Sequence, residues 1–225
     1  MGMTEKKPIL VECTHEPEYV EEAKKLIDKF AVPGEICAVE LYKFSGQEDV
    51  FFFPVAEYAK EKGMIILPID SEAGLKFSKK TWDSIDALFV LMVLKKNGRK
   101  IPIQETLVHK EVVQLYERVP NVSTEEIVRL IQKMRYLLAN IVSRKRTEFM
   151  LSKLTKTMKT RGVRLIFVGA EHGRKIGKKI PCNKKYVGSK MTRLQSLFSI
   201  YHPLIAHRYL KKFFRKLKRK FTRRK

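Results

Sequence analysis

The sequence predicts an α/β fold: a mainly parallel sheet with flanking helices, an inserted helical segment and a basic C-terminal helical tail. Four short apolar runs alternate with segments of helical periodicity, which is the pattern of β-helix-β units with parallel strands. The charge is unevenly divided, because residues 173–225 hold 19 of the 47 Lys and Arg residues and none of the 24 Asp and Glu residues. We therefore expect an α/β domain over residues 1–172 and a basic amphipathic tail over residues 173–225.

The composition bounds the class of protein. A chain of 225 residues with 44% hydrophobic content can bury one ordinary core. Its three cysteines lack the spacing of a zinc site or a disulfide framework, which favours a reducing compartment. The N-terminus has no signal-peptide pattern, and no run of about 18 uncharged apolar residues occurs. These features predict a cytoplasmic protein, with peripheral attachment to the inner face of the membrane left open.

Strands are predicted over residues 8–13, 35–43, 64–70 and 163–168, each an apolar run bounded by turn residues. Helical spacing predicts helices over residues 17–30 and 56–62, whereas the aromatic residues 50–54 are expected to form a short loop under the core. Pro68 lacks a backbone donor, so it should lie near the end of its strand or at an edge of the sheet.

The segment between the third and fourth strands predicts helices only. Residues 79–98 have the pattern of a helix buried on most faces, and residues 105–119 that of a second helix. A capping-box pattern at Ser123 opens a long helix that extends to Thr160. On that helix Arg146 follows Val142 and precedes Met150 at spacings of four residues, so it shares a face with apolar side chains.

A polar residue stands at or just beyond the carboxyl end of each predicted strand: His15, Glu40, Asp70 and His172. If the strands are parallel, all four lie at one edge of the sheet, where open α/β sheets bind ligands. Arg146 can reach the same edge from the long helix. The alternatives are a solvated loop histidine at residue 172, and structural roles for Glu40 and Asp70 as capping acids or as ion-pair partners of Arg146.

Two histidines with one or two carboxylates form a donor set that suits a divalent metal such as Mn, Co, Fe or Zn. A metal in such a set activates water near neutral pH and polarises carbonyl or phosphoryl groups. Arg146 could orient a carboxylate or stabilise developing negative charge. The residue types therefore predict a metal-dependent site formed by His15, His172 and Glu40.

The basic tail combines aromatic and cationic residues at helical spacing. Such a helix lies on anionic membranes with its aromatic face down, or binds a phosphate backbone. We expect residues 190–225 to contact an anionic membrane surface or nucleic acid; a solubilising, unstructured tail is the alternative. The candidate contact residues are Lys211, Lys212, Phe213, Phe214, Arg215, Lys216, Lys218 and Arg219.

Taken together, the segments over about residues 8–172 resemble the TraB/PrgY-like (pheromone-shutdown) family. This family belongs to the superfamily of Tiki-type metalloproteases, ChaN-like proteins and erythromycin-esterase-like enzymes. The resemblance rests on the order and spacing of VECTHEPEYVEEAKKLI, ICAVEL, AEYAKEKGMIILPID, RKRTEFM and VRLIFVGAEH. It implies an α/β fold and metal-dependent hydrolysis of a peptide or ester bond.

The resemblance also assigns residues. His15 corresponds to the histidine of the family's first Gly-x-x-His motif, and Gly169 with His172 forms the second. Glu40 matches the acid of a Val-Glu-Leu motif. It implies metal ligation by His15, His172 and Glu40, catalytic roles for Glu40, Asp70 and Arg146, and substrate contact at Gly169.

The chain departs from the family pattern at Glu12, where the first motif has glycine, and at Lys145 and Thr147, where the helix motif has Glu and Asp. A non-catalytic binding protein of the same fold, whose tail binds membrane or nucleic acid, is therefore the alternative function.

Overall fold

The computed structural model describes residues 7–43, 49–97 and 103–188. These residues form two compact units, one built from residues 7–79 and 140–188 and the other from residues 80–139. The first unit carries a five-stranded sheet in which every strand pairing is parallel, with helices packed on both faces. The predicted α/β fold is confirmed.

The strands of the sheet stand in the order β3-β2-β4-β1-β5. They are β1 Ile9–Cys13, β2 Ile36–Val39, β3 Ile65–Pro68, β4 Val163–Gly169 and β5 Asn183–Val187. Pro68 ends an edge strand, where its missing N–H costs no ladder hydrogen bond. Because all five strands run in one direction, their carboxyl ends lie at a single edge of the sheet.

Seven α-helices are present in the described residues. They are α1 Val20–Phe30, α2 Phe52–Glu61, α3 Glu72–Asn97, α4 Lys110–Glu117, α5 Thr124–Tyr136, α6 Ser143–Met158 and α7 Ala170–Ile176. The six residues Leu137–Val142 wind as a π-helix and lead directly into α6. None of the described helices is both long enough and apolar enough to cross a membrane.

The two faces of the sheet bury alternate residues of the central strands β1, β2 and β4, as the strand period of two requires. On β1, Ile9, Val11 and Cys13 pack with residues of α1 and α2. Leu10 of β1 lies on the other face, in a cluster that contains Met150 of α6 and Ile176 of α7. The helices α6 and α7 are thereby held against the sheet beside the carboxyl ends of the strands.

The second unit is helical and has its own core, built from α4, α5 and the part of α3 beyond residue 80. The predicted capping box at the start of α5 is present: Ser123 Oγ accepts from the Glu126 N–H, and Glu126 Oε2 accepts from the Ser123 N–H. Trp82, Phe89 and Val90 of α3 are about two-fifths exposed, so the prediction of a helix buried on most faces is wrong for these positions.

Two element boundaries also differ from the prediction. Residues 50–54 do not form a loop, because Asp49 Oδ1 accepts from the Phe51 and Phe52 N–H groups and starts α2 at Phe52. The helix α3 begins at Glu72, well before residue 79, because Ser71 Oγ accepts from the Gly74 N–H in the manner of a helix cap. In both places a short polar side chain supplies the first acceptor of a helix.

The folded sheet continues past the predicted domain boundary at residue 172. Residues 170–176 form α7, and β5 pairs with β1 from Asn183 to Val187. Lys184 and Lys185 are exposed on this edge strand, which explains why its composition resembles that of a tail. The predicted contact residues between 211 and 219 lie outside the described residues.

Candidate functional site

The structure brings five of the predicted site residues to the carboxyl edge of the sheet. His15 follows β1, Glu40 follows β2, Asp70 follows β3, and Gly169 ends β4. His172 lies in the first turn of α7 and not in a loop, because the chain enters a helix directly after Gly169. Arg146 reaches them from α6.

Arg146 lies between the two carboxylates. Its Nη2 donates to Glu40 Oε1 at 3.0 Å and to Asp70 Oδ2, and its Nε donates to Asp70 Oδ1 at 3.1 Å. The aliphatic part of the side chain crosses Gly74, where a Cβ atom would lie 2.7 Å from Arg146 Cγ. The ion-pair alternative for Glu40 and Asp70 is therefore present in the geometry, and the three groups together carry one net negative charge.

Glu40 is the side chain that joins these groups to the glycine at the end of β4. Its Oε2 accepts from the Gly169 N–H at 2.6 Å, and its Oε1 lies 3.6 Å from His172 Nε2. Burial alone would raise the pKa of the Glu40 carboxyl. Positive charge on His172, His15 and Arg146, together with the Gly169 N–H, lowers this pKa below its usual value. The Arg146 guanidinium and the Gly169 N–H stabilise the carboxylate form of Glu40 whatever the protonation of the histidines.

Two further glycines, Gly169 and Gly173, permit close approach at the site. A Cβ atom at residue 169 would lie 2.5 Å from His15 Nε2 and 3.3 Å from Glu40 Oε2, so only glycine lets both side chains rest on the end of β4. Gly173 receives the side chain of Glu12, whose Cγ would lie 2.6 Å from an added Cβ. Glu12 thus packs towards α7.

His15 and His172 differ in their surroundings. His15 is exposed, and its ring meets the ring of Phe52 edge-on with the centroids 4.7 Å apart. His172 is buried, and this burial lowers its pKa despite the neighbouring Glu40. The lowered pKa favours the neutral imidazole of His172, which is the form that binds metals.

Sequence reasoning assigned no role at the site to four polar residues beside His172. Thr147 Oγ1 lies 2.7 Å from His172 Nδ1, and Ser143 Oγ donates to Glu171 Oε1 at 2.6 Å. Lys175 Nζ donates to both Ser143 Oγ and Glu171 Oε1 at 3.0 Å. A signal existed in the sequence, because Ser143 and Thr147 continue the buried stripe of Met150 and Leu154 at helical spacing.

His15, Glu40 and His172 are residue types that bind divalent metals, but their side chains do not form a completed shell. In the part of the chain that the structure describes, no group of three or more His, Cys, Asp or Glu side chains is arranged to hold a metal ion. Glu40 Oε1 and His172 Nε2 nevertheless face each other at a separation too long for a direct hydrogen bond. Glu40 contributes a carboxylate there, and His15 Nε2 lies beside Gly169 at the same edge.

No protein-family model, curated protein or solved structure matches the chain.

Proposed function

We propose that the carboxyl edge of the sheet is a metal-dependent hydrolytic site that acts on a peptide or ester bond, with His15, His172 and Glu40 holding a divalent cation. The observation that carries the proposal is the approach of Glu40 Oε1 to His172 Nε2, 3.6 Å apart at the carboxyl edge of the sheet. A carboxylate oxygen and an unprotonated imidazole nitrogen at such a separation are two donors that a divalent cation can share. The resemblance of the surrounding segments to the TraB/PrgY-like family supports the same chemistry.

Each residue has a distinct part in the proposal. A bound Mn, Co, Fe or Zn ion would supply a Lewis acid and an activated water. Asp70 holds Arg146 with both carboxylate oxygens, and Arg146 in turn orients Glu40. The Gly169 N–H fixes the second oxygen of Glu40, and the bare face of Gly169 leaves room for His15 and for a substrate backbone. Glu40 is then a ligand or the general base.

The metal content of the purified protein tests this proposal. We expect about one divalent ion per chain in the wild type and at least about tenfold less in His15→Ala/His172→Ala, because second-sphere changes alone cost that much. Gly169→Ala should behave similarly, since its methyl group takes the space of His15 Nε2. His109→Ala is the control, because His109 belongs to the second unit and contacts Thr81 there.

Equal metal content in the wild type and the double histidine variant would contradict the cation site, whether both values were near zero or both substantial. That result would favour the alternative function, a non-catalytic binding protein in which Arg146, Glu40 and Asp70 form a structural ion-pair network.

We further propose that residues 190–225 attach the protein to an anionic membrane surface. The supporting observation is the recurrence of Phe213, Phe214, Leu217 and Phe221 among lysines and arginines, because a purely solvating tail has no use for aromatic residues.

Co-sedimentation with anionic liposomes tests this proposal. Part of the liposome binding should persist at high salt, and removal of residues 190–225 should abolish that part. Binding that falls steeply with salt and favours RNA would identify nucleic acid as the partner instead. Unchanged binding after truncation would contradict any role of the tail.

A further inference from the structure

Thr147 makes two short contacts that together restrict the ring of His172. Its hydroxyl oxygen lies 2.7 Å from the Ser143 carbonyl oxygen and 2.7 Å from His172 Nδ1. Both Thr147 and His172 are buried. A hydroxyl has a single hydrogen to donate, so it cannot serve both partners as a donor.

The Ser143 carbonyl can only accept, so the geometry assigns the hydroxyl hydrogen of Thr147 to that carbonyl. The contact with His172 then requires Nδ1 to donate to Thr147 Oγ1. A neutral imidazole with hydrogen on Nδ1 carries its lone pair on Nε2. That nitrogen is the one that faces Glu40 Oε1.

The opposite arrangement is disfavoured by distance. If Thr147 donated to Nδ1, the hydrogen of the ring would stand on Nε2 and would need an acceptor. Glu40 Oε1 is the carboxylate oxygen nearby, and at 3.6 Å it is beyond normal hydrogen-bond reach. The Nδ1-protonated ring therefore makes both short contacts of Thr147 hydrogen bonds, whereas the alternative tautomer leaves Thr147 Oγ1 and the Ser143 carbonyl oxygen 2.7 Å apart with no hydrogen between them.

A second set of contacts holds α7 in place on the same side. Glu171, the residue before His172, accepts from Ser143 Oγ at 2.6 Å, and Lys175 Nζ donates to both. Thus consecutive residues of α7 are tied to Ser143 and Thr147, which lie one turn apart on α6. The contacts of Glu171 hold the backbone next to His172, and the contact with Thr147 holds its ring.

We propose that Thr147 is the positioning residue of His172: its hydroxyl selects the tautomer that presents Nε2 to the carboxyl edge of the sheet. Thr147 touches neither a substrate nor a cation in this account and acts only through the imidazole. The role bears on the proposed cation site, because a ligand nitrogen must be unprotonated. The tautomer itself exists without any metal, so the two proposals can fail separately.

Side-chain nitrogen NMR of the metal-free, histidine-labelled full chain tests the assignment. At a pH of about 8.5, imidazoles of ordinary pKa are neutral, and long-range proton–nitrogen correlations distinguish the two tautomers. The chain has five histidines, and His172→Gln identifies the signal of His172. We expect a protonated-type shift at Nδ1 and an unprotonated-type shift at Nε2 in the wild type. A wild-type His172 with hydrogen on Nε2 would overturn the proposal without any variant at residue 147.

Three variants separate positioning from general stability. Thr147→Val keeps the shape of the side chain but removes the acceptor, and we expect loss of the Nδ1-protonated pattern of His172. Thr147→Ser keeps the hydroxyl and should restore the wild-type pattern. Thr81→Val is the matched control, because Thr81 is a fully buried threonine whose hydroxyl lies 3.0 Å from His109 Nε2. It should leave the signal of His172 unchanged.

A zinc titration with zinc alone adds a second readout. We expect Thr147→Val to bind zinc about 10- to 100-fold more weakly than the wild type, and Thr147→Ser to bind within a few-fold of it. An unaltered tautomer in Thr147→Val would overturn the positioning role. A tautomer that changes as expected, in a wild-type protein that binds no zinc, would support the role of Thr147 and contradict the cation site.

Discussion

Replacing Arg146 with methionine is expected to lower the free energy of unfolding by about 3–5 kcal/mol, which is the usual cost of removing one partner from a buried ion pair. The guanidinium is the shared partner of Glu40 and Asp70, whose carboxylates are almost fully buried. Without it, two like charges remain in an environment of low polarity. Methionine keeps much of the aliphatic volume over Gly74, so the loss reports on charge more than on packing.

Urea denaturation measures this change, and Arg144→Met is its matched control on the same helix. Arg144 also pairs with a carboxylate, that of Glu148 at 2.8 Å, but both side chains are largely exposed. An exposed ion pair contributes little, so the denaturation midpoint of Arg144→Met should stay at the wild-type value. If the two variants shifted the midpoint equally, the account of a buried ion pair at Arg146 would be wrong.

Adding Glu40→Gln and Asp70→Asn to Arg146→Met is expected to return about 2–3 kcal/mol of the lost stability, because the uncompensated charges disappear. Glutamine and asparagine keep the shapes of the acids. An amide oxygen at residue 40 can also accept from the Gly169 N–H as Glu40 does. The triple variant should therefore be more stable than the single variant, although it carries two more substitutions.

The free energies of unfolding of the wild type, the three single variants and the triple variant test this directly. Independent contributions would make the triple variant less stable than Arg146→Met, and that result would contradict a coupled network. Recovery of stability without recovery of metal binding would further show that the three charges serve the site and not the fold.

The sequence predicted most of the sheet because the central strands carry strong signals. β1, β2 and β4 are buried apolar runs, and the helices between them dictate parallel pairing. Parallel strands in turn place His15, Glu40, Asp70 and Gly169 at one edge, so the positions of these residues follow from strand order. The strand β5 escaped prediction because it is an edge strand whose residues 183–185 are exposed and carry two lysines.

The contacts inside the site were harder to predict than its location. The spacing of Arg146 from Val142 and Met150 indicates its helix face but not which carboxylates its long side chain reaches. The π-helix Leu137–Val142 changes the helical register of the side chains just before α6. No residue type in that segment predicts a π-helix. The partnership of Thr147 with His172 joins residues far apart in sequence, and only packing of α7 against α6 brings them together.

The most direct test of the proposed site is a crystal structure of the zinc-soaked protein with anomalous diffraction measured at the zinc edge. If the site binds a cation as proposed, we expect a peak at the carboxyl edge of the sheet, with nitrogen or oxygen atoms of His15, Glu40 and His172 about 2.0–2.2 Å away. The absence of a peak there, with Arg146 still bound to Glu40 and Asp70 as described, would contradict it. A peak held by other residues alone would contradict it equally.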